Sequence, residues 1–241
     1  MATLAIYSLK GGVGKTTLAV NLAWCAAALS ARRTLLWDLD PQAAATWILN
    51  SGAKTRSGST DQAHAMFTKD IGVRDQARPT AYPHLDLIGA DASLRGLDQL
   101  FYDLDKKKRL AKLVSDLAGY DRVVLDCPPG LTETADQVMR AADLIVVPVI
   151  PSPLSTRAYD AVVAHLGGRT PFLPVHVMVD KRRALHAEAL ARHPDWPVIP
   201  MASGIEAMAS KRAPVGVFQP KSAAARAFAD LWRRVEQRLA R

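Results

Sequence analysis

A chain of 241 residues, 49% apolar and 22% charged, holds enough apolar side chain for one substantial core. It has no run of eighteen apolar residues, which excludes a membrane-spanning helix of ordinary length, and its start, MATLAIYS, has neither a basic leader nor a signal-like apolar region. The net charge of +8 is uneven: residues 176–241 carry twelve Lys/Arg against six Asp/Glu, a bias that either solvates a surface or meets a polyanion. Cys25 and Cys127 sit in apolar runs and form no disulfide framework, and the six histidines lack zinc spacing, so buried thiols of a cytoplasmic protein and no structural metal are expected.

Taken in chain order, short apolar runs alternate with helical patterns. The first strand is TLAIYS (3–8), followed by a glycine loop and an apolar helix over 16–31. TLLWDL (34–39) is the second strand; NSGAKTRSGSTD (50–61) reads as a surface loop and RPTAYPHL (78–85), with two prolines, as a connector. HLDLIGA (84–90) is the third strand, and one helical pattern spans 94–118. Strands RVVLDC (122–127), LIVVPV (144–149) and PVHVMV (174–179) follow, with helices over 132–142 and 155–166 between them. The last helix carries Phe228, Leu231, Trp232, Val235 and Leu239 on one face, a stripe expected to dock on the sheet and not on a membrane. Strands apolar throughout predict helices on both faces, so the expected fold is α/β, a doubly wound, mostly parallel sheet, in a single domain over 1–241. Ligands bind beyond the C-terminal strand ends of such sheets.

The stretch YSLKGGVGKTTLAV (7–20) lies at the first of those ends. The pattern G-x-x-x-x-G-K-[ST] would put a glycine at 9; Leu9 is there, followed by an extra lysine, Lys10. Between a strand and a helix, Gly11, Gly12, Val13, Gly14, Lys15, Thr16 and Thr17 form a phosphate loop whose backbone N–H groups converge on phosphate oxygens. Lys15 is the cation for the β and γ phosphates, and the Thr16 hydroxyl a ligand for Mg²⁺. Asp126 closes an apolar strand in DCPPG, as a carboxylate serving the magnesium shell does. Asp38 and Asp40 close the second strand in DLDPQ; one orients metal-bound water and the other the attacking water. We assign Asp40 to the attacking water and Asp38, with Thr16 and Asp126, to the metal.

KGGVGKTT, DLDPQ and DCPPG, in this order and spacing, resemble the ParA/MinD family of deviant Walker-A ATPases, with DPQ similar to the ParA (Soj-like) branch. PVGVFQPKSAAARAFADL (214–231) resembles the closing ParA stretch, so the similarity covers nearly the whole chain. The resemblance implies a P-loop ATPase using ATP and Mg²⁺, in which Lys10 is the signature lysine reaching the phosphates held by the other subunit of an ATP-bound homodimer, with Gly11 at the seam. It implies non-specific DNA binding through Lys181, Arg182, Arg183, Lys211 and Arg212, and a ParB-like or cargo-adaptor protein that stimulates hydrolysis. Such a protein segregates plasmid, chromosome or protein cargo from a cytoplasmic, nucleoid-associated position, without membrane. A MinD-like membrane ATPase and a metabolic ligase of the same superfamily are the alternatives. Two departures stand out: Val177 occupies the place where relatives commonly carry Asn or Thr reading adenine, and the chain begins at its first strand without a helix-turn-helix region, so operator-specific repression is not expected.

Overall fold

The six apolar runs all become strands of one sheet. The computed structural model describes residues 1–50, 62–68, 72–104, 108–168 and 170–240, so the expected surface loop lies, past Asn50, outside the described residues. The strands are β1 (Ala2–Ile6), β2 (Thr34–Asp38), β3 (Arg78–Pro79), β4 (Leu85–Ile88), β5 (Arg122–Asp126), β6 (Leu144–Val149), β7 (Phe172–Val179) and β8 (Val198–Pro200). Their order is β3-β4-β2-β5-β1-β6-β7-β8, parallel at every pairing except β3 with β4. The doubly wound, mostly parallel sheet is therefore present. β1 lies between β5 and β6, with β2 and β4 to one side and β7 and β8 to the other, the switch point at which such sheets open a crevice.

Helices α1 (Lys15–Ser30), α2 (Ala44–Leu49), α3 (Gln62–Thr68), α4 (Leu97–Leu104), α5 (Arg109–Ser115), α6 (Glu133–Ala141), α7 (Pro153–Leu166), α8 (Ala184–Arg192), α9 (Ser203–Glu206), α10 (Met208–Lys211), α11 (Val215–Phe218) and α12 (Ala223–Leu239) complete the described elements. Two apolar clusters lie on opposite faces of the sheet. Leu4 and Ile6 of β1 pack with α1 and α12, while Ala5 and the following Tyr7 pack with residues of α4 to α7. That period-2 split explains why the strands read as unbroken apolar runs. α1 is apolar on all sides because α12 and α2 cover what the sheet does not.

The stripe on α12 is used internally. Phe228, Leu231, Trp232 and Val235 are buried, each burial contributing about 1.5–3 kcal/mol. The Trp232 indole donates to Ser30 Oγ at 2.8 Å, and Glu236 pairs with Arg32 and Arg122 at 3.1 and 2.6 Å. Among the described residues no helix is long and apolar enough to cross a membrane.

Three expectations need correction. Part of the connector 78–85 is paired: Arg78 and Pro79 form a short antiparallel edge with Leu87 and Asp86, a position where proline is tolerated because it faces no further strand. The helical pattern over 94–118 is a 3₁₀ turn (Ala92–Gly96) followed by α4 and α5, with residues 105–107 outside the described set. β8 is an added parallel edge strand whose three residues, Val198–Pro200, are too short to show a period.

Candidate nucleotide site

The sheet register builds the site. Ile6, the last residue of β1, is opposite Asp126, and Asp126 is opposite Asp38. The phosphate loop and two strand-end carboxylates therefore lie side by side at the C-terminal edge of three adjacent strands. Gly12 (φ 71°) and Gly14 (φ 85°) take left-handed conformations that a side chain would strain. Gly14 is also the residue before α1 and offers no side-chain cap, so the first N–H groups of the helix remain open to an anion. At Gly11 a Cβ would meet nothing within 4 Å and φ is not positive, so among the described residues the single chain does not require glycine there.

Lys15 is 6% exposed, and its Nζ donates to the Lys10 carbonyl at 3.1 Å. Burial lowers its pKa, and Asp126 and Asp40 oppose that shift. Lys10 is half-buried, its backbone N–H donates to Ser8 Oγ at 3.4 Å, and its ammonium has no partner among the described residues. Val13 is buried beneath the loop, while Thr16 and Thr17 are half-buried.

The three carboxylates differ. Asp38 is fully buried and already engaged: Oδ2 accepts from the Thr46 N–H (2.9 Å) and hydroxyl (2.7 Å), and Oδ1 from the Asp40 N–H (3.1 Å). Burial pushes its pKa to about 6 against those hydrogen bonds. Asp40 is half-buried, and its Oδ1 accepts from the Gln42 N–H at 2.9 Å. Asp126 is fully buried with neither oxygen hydrogen-bonded. Burial and then the Asp38 charge raise its pKa well above the carboxylate range, partly offset by the Thr16 hydroxyl, which is near enough to act on the charge but falls short of regular hydrogen-bond geometry, and by Lys15. Two orphaned, buried oxygens call for a cation. Among the described residues no group of three or more His, Cys, Asp or Glu could hold a metal unaided.

A pocket of about 110 Å³ adjoins the loop, with Val13, Gly14, Val177, Met178, Pro200 and Met201 in its lining. Val177 of β7 thus lines the same pocket as Val13 and Gly14 with an apolar side chain. Met178 has φ 55° at a break in the β7–β8 register.

The basic residues are dispersed. Lys181, Arg182 and Arg183 are exposed after β7, but Arg182 folds back on Asp180 through two 2.9 Å contacts that hold the Asp180 pKa down at about 2. Lys211 is exposed at the end of α10. Arg212 is committed to α2: it donates to the Trp47 and Asn50 carbonyls at 3.0 and 2.8 Å and lies 4.4 Å from the Trp47 ring centre. Thr46 and Arg212 thus hold opposite ends of α2, Thr46 to a site carboxylate and Arg212 to a candidate DNA-contact segment. Neither role was visible from motif spacing: Thr46 reaches Asp38 from eight positions away, outside DLDPQ, and Arg212 reaches the end of α2 from 162 or more.

A family model described as an AAA domain (AAA_31) matches residues 1–167. The chain belongs to this family. Within it, the chain is a ParA/MinD-type, deviant Walker-A P-loop protein. It is 35% identical over 149 residues to the sporulation initiation inhibitor protein Soj of Bacillus subtilis, a match covering 61% of this chain and 57% of Soj. It is 36% identical over 153 residues to the chromosome partitioning protein ParA of Caulobacter vibrioides, covering 62% of this chain and 56% of that protein. The matched region spans a little over half the length of these curated relatives. The solved structure of the septum site-determining protein MinD from Pyrococcus horikoshii, complexed with Mg-ADP, superposes with a TM-score of 0.79 at 21% identity, covering 97% of this chain and 95% of that one. At that identity the superposition speaks for the fold.

Proposed function

We propose that this protein is a single-domain ATP-dependent partition or positioning ATPase, over residues 1–241, whose ATP-bound homodimer binds DNA without sequence preference. The observation that carries the nucleotide half is the burial of both Lys15 and Asp126 beneath a loop with two left-handed glycines, the ammonium bonded to a backbone carbonyl and the carboxylate making no regular hydrogen bond among the described residues. Magnesium, when bound with ATP, supplies charge neutralisation at the phosphates. Thr16, Asp126 and Asp38 would hold it, Asp38 being fixed in place by three hydrogen bonds from Thr46 and the Asp40 N–H. Lys15 anchors the β and γ phosphates, and Asp40 positions the attacking water and receives its proton.

Dimerisation is supported by what lies at the same sheet end. Leu131, Leu154, Leu185 and Met201 are exposed, and they follow β5, β6, β7 and β8 respectively. Apolar residues at that edge suit a covered face, and Lys10, with no partner in its own chain's described residues, is free to meet the other subunit's phosphates. The activating partner would be a ParB-like or cargo-adaptor protein, and the setting cytoplasmic and nucleoid-associated.

Sedimentation with duplex DNA and with liposomes, each with and without ATP, tests the assignment. ATP-dependent pelleting with DNA alone supports it; pelleting with lipid alone, or with neither, overturns it. Within that assay, Asp40→Ala is expected to bind ATP and remain on DNA while turnover falls by about 100-fold or more, the usual scale for a lost proton acceptor. Turnover near wild type would transfer the water-positioning role to Asp38.

Arg182→Glu with Arg183→Glu should weaken DNA binding without affecting ATP-driven dimerisation. For every DNA phosphate that the variant no longer neutralises, the slope of log affinity against log salt becomes shallower by about one. Part of the Arg182 charge is already spent on Asp180, so Arg183 should dominate the pair. A salt series on non-specific duplex, beside light scattering of the same variant, is the check; unchanged affinity and slope would move the DNA surface to Lys211 and the last helix.

A further inference from the structure

Tyr7 stands between β1 and the phosphate loop, three residues before Lys10, and it is fully buried. A phenol in that apolar layer must find an acceptor, and phenylalanine would fill the same space without that demand. Its hydroxyl donates at 2.7 Å to the Gly130 carbonyl, 123 residues away. Gly130 is the last residue of DCPPG, the segment leaving the Asp126 strand, and it has φ 111°, a conformation that strains any side chain. Both flanks of that segment are fixed independently. On one side Asp126 is held in the sheet and its carbonyl accepts from the Leu39 N–H at 2.9 Å. On the other, Thr132 caps α6, and Asp98 accepts from the Thr134 N–H and hydroxyl at 3.0 and 2.6 Å. The span 127–131 runs between these anchors, and Tyr7 ties it to the strand end that launches the phosphate loop.

We infer that Tyr7 is a positioning residue: its hydroxyl locks the Cys127–Leu131 segment to the base of the phosphate loop, so that the backbone after Asp126 moves with the phosphate end of the site. Tyr7 touches neither phosphate nor water in this role and acts through Gly130. The inference rests on the ATPase reading for its catalytic consequence, but the clamp itself can be measured without turnover.

Tyr7→Phe removes one oxygen and keeps the ring. Nucleotide affinity should stay within about twofold, because the loop glycines and Lys15 are untouched, while kcat falls about fivefold to tenfold, the signature of a group acting after binding. Amide hydrogen exchange over 127–131, with ADP bound, should speed up about tenfold as local opening becomes easier. Gly130→Ala is the second variant, since it disturbs the acceptor and not the donor; its effects should match, and the double variant should be no worse than the worse single one. Unchanged exchange in Tyr7→Phe, additive effects in the double variant, or a loss of affinity as large as the loss of kcat would overturn the inference. If the wild-type chain binds nucleotide but does not hydrolyse it, the ATPase reading fails, and the exchange comparison still decides whether the clamp exists.

Discussion

Replacing Lys15 with alanine is expected to abolish nucleotide binding while leaving the fold in place. The ammonium is held in a 6% exposed position against the lowering effect of burial on its pKa, and its present acceptor is a single backbone carbonyl 3.1 Å away. A charge kept buried with so little compensation is poised for a stronger anion. Without it, a triphosphate would enter a site lined by Asp38, Asp40 and Asp126 with its main cation missing. Removing one partner of a buried charged contact costs about 2–5 kcal/mol, hence about 30-fold to several-thousand-fold in affinity. Titration with a fluorescent ATP analogue measures this, and thermal melting of the apo variant checks that the sheet survives. Retained affinity with an intact fold would mean that the phosphates lie elsewhere.

The effect should be specific because the remaining architecture does not lean on Lys15. The loop's left-handed turns belong to Gly12 and Gly14, and α1 is held by its own apolar contacts with α12 and the sheet. Asp126 would lose an attractive neighbour and be driven further toward its protonated form, which relieves the buried charge instead of unfolding the site.

What could be read from the sequence is what is local in it. The phosphate loop and the two aspartate-bearing strand ends are contiguous motifs, and a parallel sheet with fixed crossover handedness brings consecutive strand ends to one edge. The register of Ile6, Asp126 and Asp38 follows from that topology, and the apolar runs announced the strands because both faces are covered. Less was legible where length or distance removed the signal. β8 has three residues, preceded by Pro197 and ending in Pro200, and β3 has two, so neither shows a period. The division of 94–118 into separate turns was hidden by a continuous helical pattern across Gly96, a residue with weak helix preference. The bonds from Thr46 to Asp38, Tyr7 to Gly130 and Arg212 to α2 join residues 8 to 165 positions apart, and no spacing rule links them. Arg212 is the instructive case: read from the sequence only as basic charge, it also caps the end of α2 and lies over the Trp47 indole, contacts that no count of charges shows.

Replacing Lys10 with alanine should produce the opposite profile from Lys15→Ala: nucleotide still binds, but the ATP-dependent dimer does not form. Among the described residues Lys10 serves its own chain through its backbone, the carbonyl accepting from Lys15 and the N–H donating to Ser8 Oγ, and alanine keeps both. Its ammonium, by contrast, has no partner among the described residues although its side chain is half-buried beside the loop. Monomer affinity should therefore shift by no more than about threefold, the scale of a single screened charge near an exposed phosphate. The dimer is another matter. Closing two subunits over two triphosphates brings like charges together in a site that excludes water, where an absent cation leaves uncompensated phosphate charge on both sides. A buried charge left unpaired costs about 2–5 kcal/mol, and the two-fold axis doubles the loss, so the dimer constant should fall by about a thousandfold or more. Light scattering with a non-hydrolysable ATP analogue reads the mass directly: the wild-type chain should double and the variant should not. Gly11 supplies the companion measurement, since its Cβ would meet nothing in the monomer. Gly11→Val should fold and bind nucleotide normally yet fail to dimerise if that glycine lies at the subunit seam. A normal dimer from Lys10→Ala would make Lys10 an ordinary surface lysine and leave the first lysine of KGGVGK without a role in the assembly.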